Sequence, residues 1–174
     1  MKTLKEYVKT FPDFPIDGIL FRDICGILQE PKGLRMAVDA LRETLFDIDF
    51  QVFVGPESRG FIFGTPLAYL MEKSFVLARK PGKLPGETVS KEYDLEYGST
   101  KIEIQKNVIK PGQKVVIIDD LLATGGTTKA VAQLIEDMGG EVVKILFVIE
   151  LPDLHGRAAL ADYDVESLIT FSGH

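Results

Sequence analysis

Residues 115–127 read Val-Val-Ile-Ile-Asp-Asp-Leu-Leu-Ala-Thr-Gly-Gly-Thr. Four β-branched apolar residues, Val115 to Ile118, run straight into two carboxylates, Asp119 and Asp120. A small turn with two hydroxyls, Thr124 and Thr127, follows, and then an amphipathic segment from Lys129 to Met138. A continuous apolar run fits a strand buried on both faces of a parallel sheet. The carboxyl ends of such strands are where open α/β sheets place ligands. Glycines in the loop let backbone N–H groups approach a phosphate, and the helix behind adds its dipole. The two acids would repel a phosphate, so they are suited to neutral hydroxyls, as an acidic residue is for a ribose in dinucleotide folds. Diol acceptors beside a phosphate cradle suit a ribose 5-phosphate. The stretch is not a Walker loop, because Lys129 does not follow the second glycine directly.

Outward from this stretch, strand and helix patterns alternate. A short helix is expected at residues 3–9, then an extended segment punctuated by Pro12, Pro15 and Gly18 up to Ile24. Leu34, Val38, Leu41 and Leu45 give one apolar face to a helix from Pro31 to Phe46. A strand at Gln51–Val54, a helix at Phe61–Met71 and a strand at Ser74–Ala78 come next. Beyond the motif lie a strand at Glu141–Glu150, a helix at Asp153–Ala161 and a last strand at Val165–Thr170. The class is α/β, with a central, mainly parallel sheet flanked by helices. Residues 79–106 differ: a basic stretch with Arg79, Lys80 and Lys83 leads into two short polar strands. They read as an exposed hairpin excursion and a candidate lid.

Composition narrows the function. The 174 residues suit one domain, 1–174, with a sizeable core. A net charge of −6 argues against a nucleic-acid partner, since neutralising phosphates needs a basic surface. One cysteine, Cys25, excludes an intrachain disulfide and reads as a small buried hydrophobe. His155 and His174 form no zinc pattern, and no metal ligand set is expected. There is no apolar span of ~20 residues and no signal peptide, so a cytoplasmic location with no membrane contact is expected.

The motif resembles the phosphoribosyl-pyrophosphate (PRPP) binding sequence of type I phosphoribosyltransferases. Four more segments bring the chain close to the adenine-using branch of that family. They are Phe14-Pro15 to Gly18 with Phe21-Arg22-Asp23-Ile24; Gly55 to Phe61; Arg79 to Gly86; and Leu95-Glu96-Tyr97-Gly98 with Glu103 to Lys106. The resemblance implies a small N-terminal hood that binds the base (1–30), a basic loop and flexible β-hairpin lid (79–106) and a PRPP-binding strand-loop-helix (115–139). It implies conversion of adenine and PRPP to AMP and pyrophosphate, a purine salvage reaction, with Mg²⁺ held mainly by the pyrophosphate. It also implies a homodimer.

Displacement at an anomeric carbon passes through an oxocarbenium-like transition state. The site must hold the ribose phosphate, neutralise the leaving pyrophosphate and position the base. The resemblance assigns the first task to Asp119, Asp120, Ala123, Thr124, Gly125, Gly126 and Thr127. It assigns the second to Glu57, Ser58 and Arg59, in a turn whose peptide is often cis, and to Lys83 of the basic stretch. Arg59 and Tyr97 join the catalytic set with Glu96, a candidate acid/base group near the purine N7. Adenine would lie between Phe21 and Leu151, its edge read by main-chain groups around Leu20 and Arg22. Taken alone, Phe21 and Leu151 read as core packing. Cys25-Gly26 and Ile16-Asp17 depart from the common family pattern beside this segment. A PRPP-sensing regulator, or an enzyme for another base, are the competing readings.

Overall fold

The computed structural model describes residues 2–94 and 98–173. A 3-10 turn at Leu4–Tyr7 leads into an antiparallel hairpin, β1 (Lys9–Pro12) and β2 (Leu20–Asp23), and then α1 (Cys25–Gln29) and α2 (Pro31–Glu43). Next come β3 (Val52–Pro56), α3 (Arg59–Met71) and β4 (Ser74–Ala78). A second antiparallel hairpin follows, β5 (Thr88–Asp94) and β6 (Ser99–Gln105). The chain continues through β7 (Lys114–Leu122), α4 (Gly126–Asp137) and β8 (Glu141–Glu150), then a 3-10 turn at Pro152–Leu154, α5 (Gly156–Ala159) and β9 (Val165–Thr170).

Among the described residues the central sheet has five strands in the order β4-β3-β7-β8-β9, all parallel. Both of its faces are covered, which explains the unbroken apolar runs of β7 and β8. Val116 and Ile118 on one face pack with Phe53, with Val38 and Leu41 of α2 and with Phe63 and Leu67 of α3. Val115 and Ile117 on the other pack with Val54, Phe147 and the α4 residues Val131, Leu134 and Ile135. Alternation along one strand therefore feeds two cores.

Four expectations are corrected. The hairpin β5–β6 is not an exposed excursion: Ile102 and Ile104 are buried in the second core, and Val89 and Tyr93 pack against it. Its period-two pattern gives it one apolar face. The helix read to Phe46 ends at Glu43, leaving Phe46 in the following turn, 89% exposed. The helix read across Asp153–Ala161 is two short pieces, divided at His155 with φ +56°. Cys25 is exposed rather than buried. Its neighbour Gly26 is the enclosed residue, because an added Cβ there would lie 2.0 Å from the Tyr7 carbonyl oxygen. That close approach of the N-terminal turn to α1 admits only glycine.

Candidate active site

Strand order creates the crevice. From β3 the chain runs outward to β4, whereas β7, β8 and β9 run the other way, so the direction reverses between β3 and β7. Ligands bind at such a reversal, beyond the strands' carboxyl ends. The β3–β7 pairing stops at Val54–Ile117, while β7 stays paired with β8 as far as Leu122–Glu150. Residues 56–59 after β3 and the Asp119-Asp120 pair of β7 thus face each other across the gap.

Two adjoining cavities occupy it, sharing Arg59, Asp119, Asp120 and Thr127. The first, about 290 Å³, is bounded by Glu57, Ser58, Lys80, Tyr93 and Thr100. The second, about 210 Å³, is bounded by Ala123 to Thr128 at the start of α4. Gly125 there has φ +81°, and a Cβ on it would come within 2.7 Å of the Gly156 carbonyl oxygen. The phosphate-type loop is therefore braced from behind by α5.

Asp119 Oδ1 accepts a hydrogen bond from the Asp120 N–H at 2.8 Å. Asp120 is buried, and its Oδ2 lies 3.0 Å from Arg59 Nε with no N–H directed at it. Burial pushes both carboxyls above the usual range. The negative Asp120 raises Asp119 further, whereas the Arg59 cation pulls Asp120 down. Two crowded acids with an unsatisfied buried oxygen are costly unless a donor arrives, and ribose hydroxyls are such donors.

The Glu57–Ser58 peptide is cis. Glu57, expected among the pyrophosphate contacts, lines the first cavity and turns its buried carboxylate to cations. Arg79 Nε donates at 2.8 Å, the Lys80 N–H at 3.0 Å, and Lys83 Nζ lies 3.3 Å away. Burial works to raise the Glu57 pKa, but these donors hold it below the usual range. Lys83 is thus gathered against Glu57, and Lys80, not singled out from the sequence, lines the first cavity. Lys80 shares its basic stretch, which was the available signal. Tyr93 and Thr100 had none, because hairpin docking brings them there.

The expected base contacts sit in the N-terminal hairpin and after β8. Phe21 lines an apolar cavity of about 280 Å³ with Phe11, Phe14 and Asp23, and Phe14 meets its ring edge-on at 5.0 Å. Leu151 is not among that cavity's lining residues and packs against the first core. Asp23 beside the exposed Cys25 thiol pushes its pKa up, which disfavours the thiolate. Glu96 and Tyr97 lie outside the described residues. No group of three or more His, Cys, Asp or Glu residues fit to hold a metal occurs among the described residues, and no helix there is long and apolar enough to cross a membrane.

Residues 27–172 match the model of the phosphoribosyl transferase domain. Adenine phosphoribosyltransferase of Agathobacter rectalis is 56% identical over 173 residues, with 99% of each chain covered. That of Lachnoclostridium phytofermentans is 58% identical with the same coverage. The crystal structure of the Thermoanaerobacter pseudethanolicus adenine phosphoribosyltransferase superposes with a TM-score of 0.94 at 49% identity, covering 97% of this chain and 100% of that one. The Saccharomyces cerevisiae enzyme, complexed with an imino-altritol bisphosphate and adenine, gives 0.90 at 41% identity, with 95% and 96% covered. With the acid pair, the anion loop and the parallel sheet in their shared order, the chain belongs to the phosphoribosyltransferase family, among the adenine phosphoribosyltransferases.

Proposed function

We propose that the chain transfers the 5-phosphoribosyl group of PRPP to adenine, releasing pyrophosphate and AMP. The observation that carries this is the Asp119-Asp120 pair, half-buried and buried, set between an anion loop and a cationic turn. Residues Ala123 to Thr127 hold the 5-phosphate with backbone N–H groups and threonine hydroxyls. Asp119 and Asp120 accept from the ribose 2- and 3-hydroxyls, which fixes the sugar ring. Arg59 and Lys80 offset charge on the pyrophosphate as its bond to the anomeric carbon lengthens. Glu57 acts one step back, holding Arg79, Lys80 and Lys83 in place. Phe21 and Leu151 supply the apolar walls for adenine, and the Leu20 and Arg22 main chain reads its edge.

Mg²⁺ fits this donor set, because it keeps waters and takes substrate phosphates with few protein ligands. When bound with PRPP it would neutralise part of the leaving group's charge. Asp119 and Asp120 would face it mainly through the ribose hydroxyls. Glu96 is assigned the proton at the base. Its test is Glu96→Gln, which should lower kcat with little change in PRPP affinity. The reading also includes a cytoplasmic homodimer. Exposed Phe46 and Tyr69, 89% and 84%, give apolar surface to such an association, and sedimentation over a concentration series tests it.

The deciding experiment is a base panel: PRPP, Mg²⁺ and each purine or pyrimidine, with pyrophosphate release measured. Adenine should be the preferred acceptor by a wide margin. Release with orotate or hypoxanthine instead, or none with any base, would sink the assignment.

A further inference from the structure

We propose that residues 171–173 form a strap that sets the separation of the two walls of the base site, with Arg22 as the positioning residue. The inference rests on the adenine reading above. On one side of the tail, Arg22 Nη1 donates to Thr10 Oγ1 at 2.6 Å, and Nη2 to the carbonyl oxygens of Ser172 and Gly173, each at 3.1 Å. The guanidinium also lies 4.8 Å from the Phe171 ring. On the other side, the Gly173 N–H donates to Asp153 Oδ2 at 2.6 Å and the Phe171 N–H to the Glu150 carbonyl at 3.0 Å. Glu150 and Asp153 flank Leu151 in the chain, and Arg22 follows Phe21. Three residues of tail therefore join the strand that carries one wall to the segment that carries the other.

Alternation along β2 puts Arg22 on the face opposite Phe21, so the clamp grips that wall from behind. A planar, forked cation takes a hydroxyl and two carbonyls at once in a fixed geometry. Arg22 Nε is enclosed without an acceptor, so the other contacts must offset its burial. A planar base gains from two apolar walls only when their spacing is fixed by such supporting contacts.

The test compares Arg22→Met, Arg22→Lys and a chain ending at Phe171. Arg22→Met and the shortened chain should each raise KM for adenine about tenfold, with KM for PRPP changed less than about twofold. Arg22→Lys should recover part of the loss. Combining the two main changes should add little, since both cut one strap. If Arg22→Met does not fold, the shortened chain carries the test. An adenine KM within about twofold of wild type, or an equal rise in both KM values, would overturn the strap. Wild-type protein that does not use adenine would overturn both the strap and the reading beneath it. Wild-type turnover with an unmoved adenine KM would overturn the strap alone.

Discussion

Asp119, the residue proposed to hold the ribose, works against the fold. Its folded pKa lies above its ordinary value, because of burial and then its acidic neighbour. The folded state thus binds the more protons, and this group's contribution to stability falls as pH rises from its ordinary value through the raised one. Asp119→Asn keeps an oxygen for the Asp120 N–H and removes the charge. It should gain about 1 kcal/mol at neutral pH, a rise of a few degrees in Tm, while KM for PRPP increases. The advantage should vanish below the carboxyl's ordinary pKa, which thermal melts across pH will read. Arg59 works in the opposite sense, since it is the cation beside buried Asp120. Arg59→Ala should weaken pyrophosphate binding by about tenfold or more, with a smaller loss for AMP. Calorimetric titration of both ligands decides it, and equal losses would place Arg59 on the fold or the 5-phosphate.

Elements carry the next level of control. The cations of the basic loop after β4 are gathered on one carboxylate, with Glu57 taking Arg79, Lys80 and Lys83 together. Glu57→Gln should raise KM for PRPP several-fold, though Glu57 need not touch it. Raising the ionic strength should narrow the difference between variant and wild type, because a solvated loop charge is screened. Because the Glu57 pKa is depressed, its contribution is present above the ordinary carboxyl value and lost as pH falls through the folded one. The β5–β6 hairpin differs from its expected exposure for a reason of scale. Its composition is polar, but two isoleucines at period-two spacing, Ile102 and Ile104, suffice to seat it on the second core. That seating puts Tyr93 and Thr100 into the first cavity.

Over the whole molecule, the last third of the chain braces the site built by the middle. Arg157 of α5 makes a two-pronged pair with Glu150 of β8, at 2.7 and 2.8 Å, and donates to the Val165 carbonyl of β9 at 2.9 Å. Ser167 also donates to Glu150. Arg157 first, then Ser167, holds the Glu150 pKa below the usual range. Arg157→Met leaves a buried carboxylate short of donors and should cost about 1–3 kcal/mol near neutral pH. The loss should shrink as pH falls through the depressed Glu150 value, since the interaction is by then gone in wild type too. Because Gly156 backs the anion loop, KM for PRPP should rise as well. Urea melts and initial rates on the same samples check both.

The sequence by itself determined what is local or periodic: the apolar run of β7, its acidic edge, the glycine turn and the α/β alternation. Each is written in consecutive residues, so a single stretch decides it. It could not show that Glu57 faces cations, that Cys25 is exposed beside an enclosed Gly26, or that Tyr93 reaches the cavity. Nor could it join Arg22 to the tail some 150 positions away. Those facts depend on which surfaces meet once the sheet closes and the hairpins dock, and distant contacts leave no spacing in the chain to read.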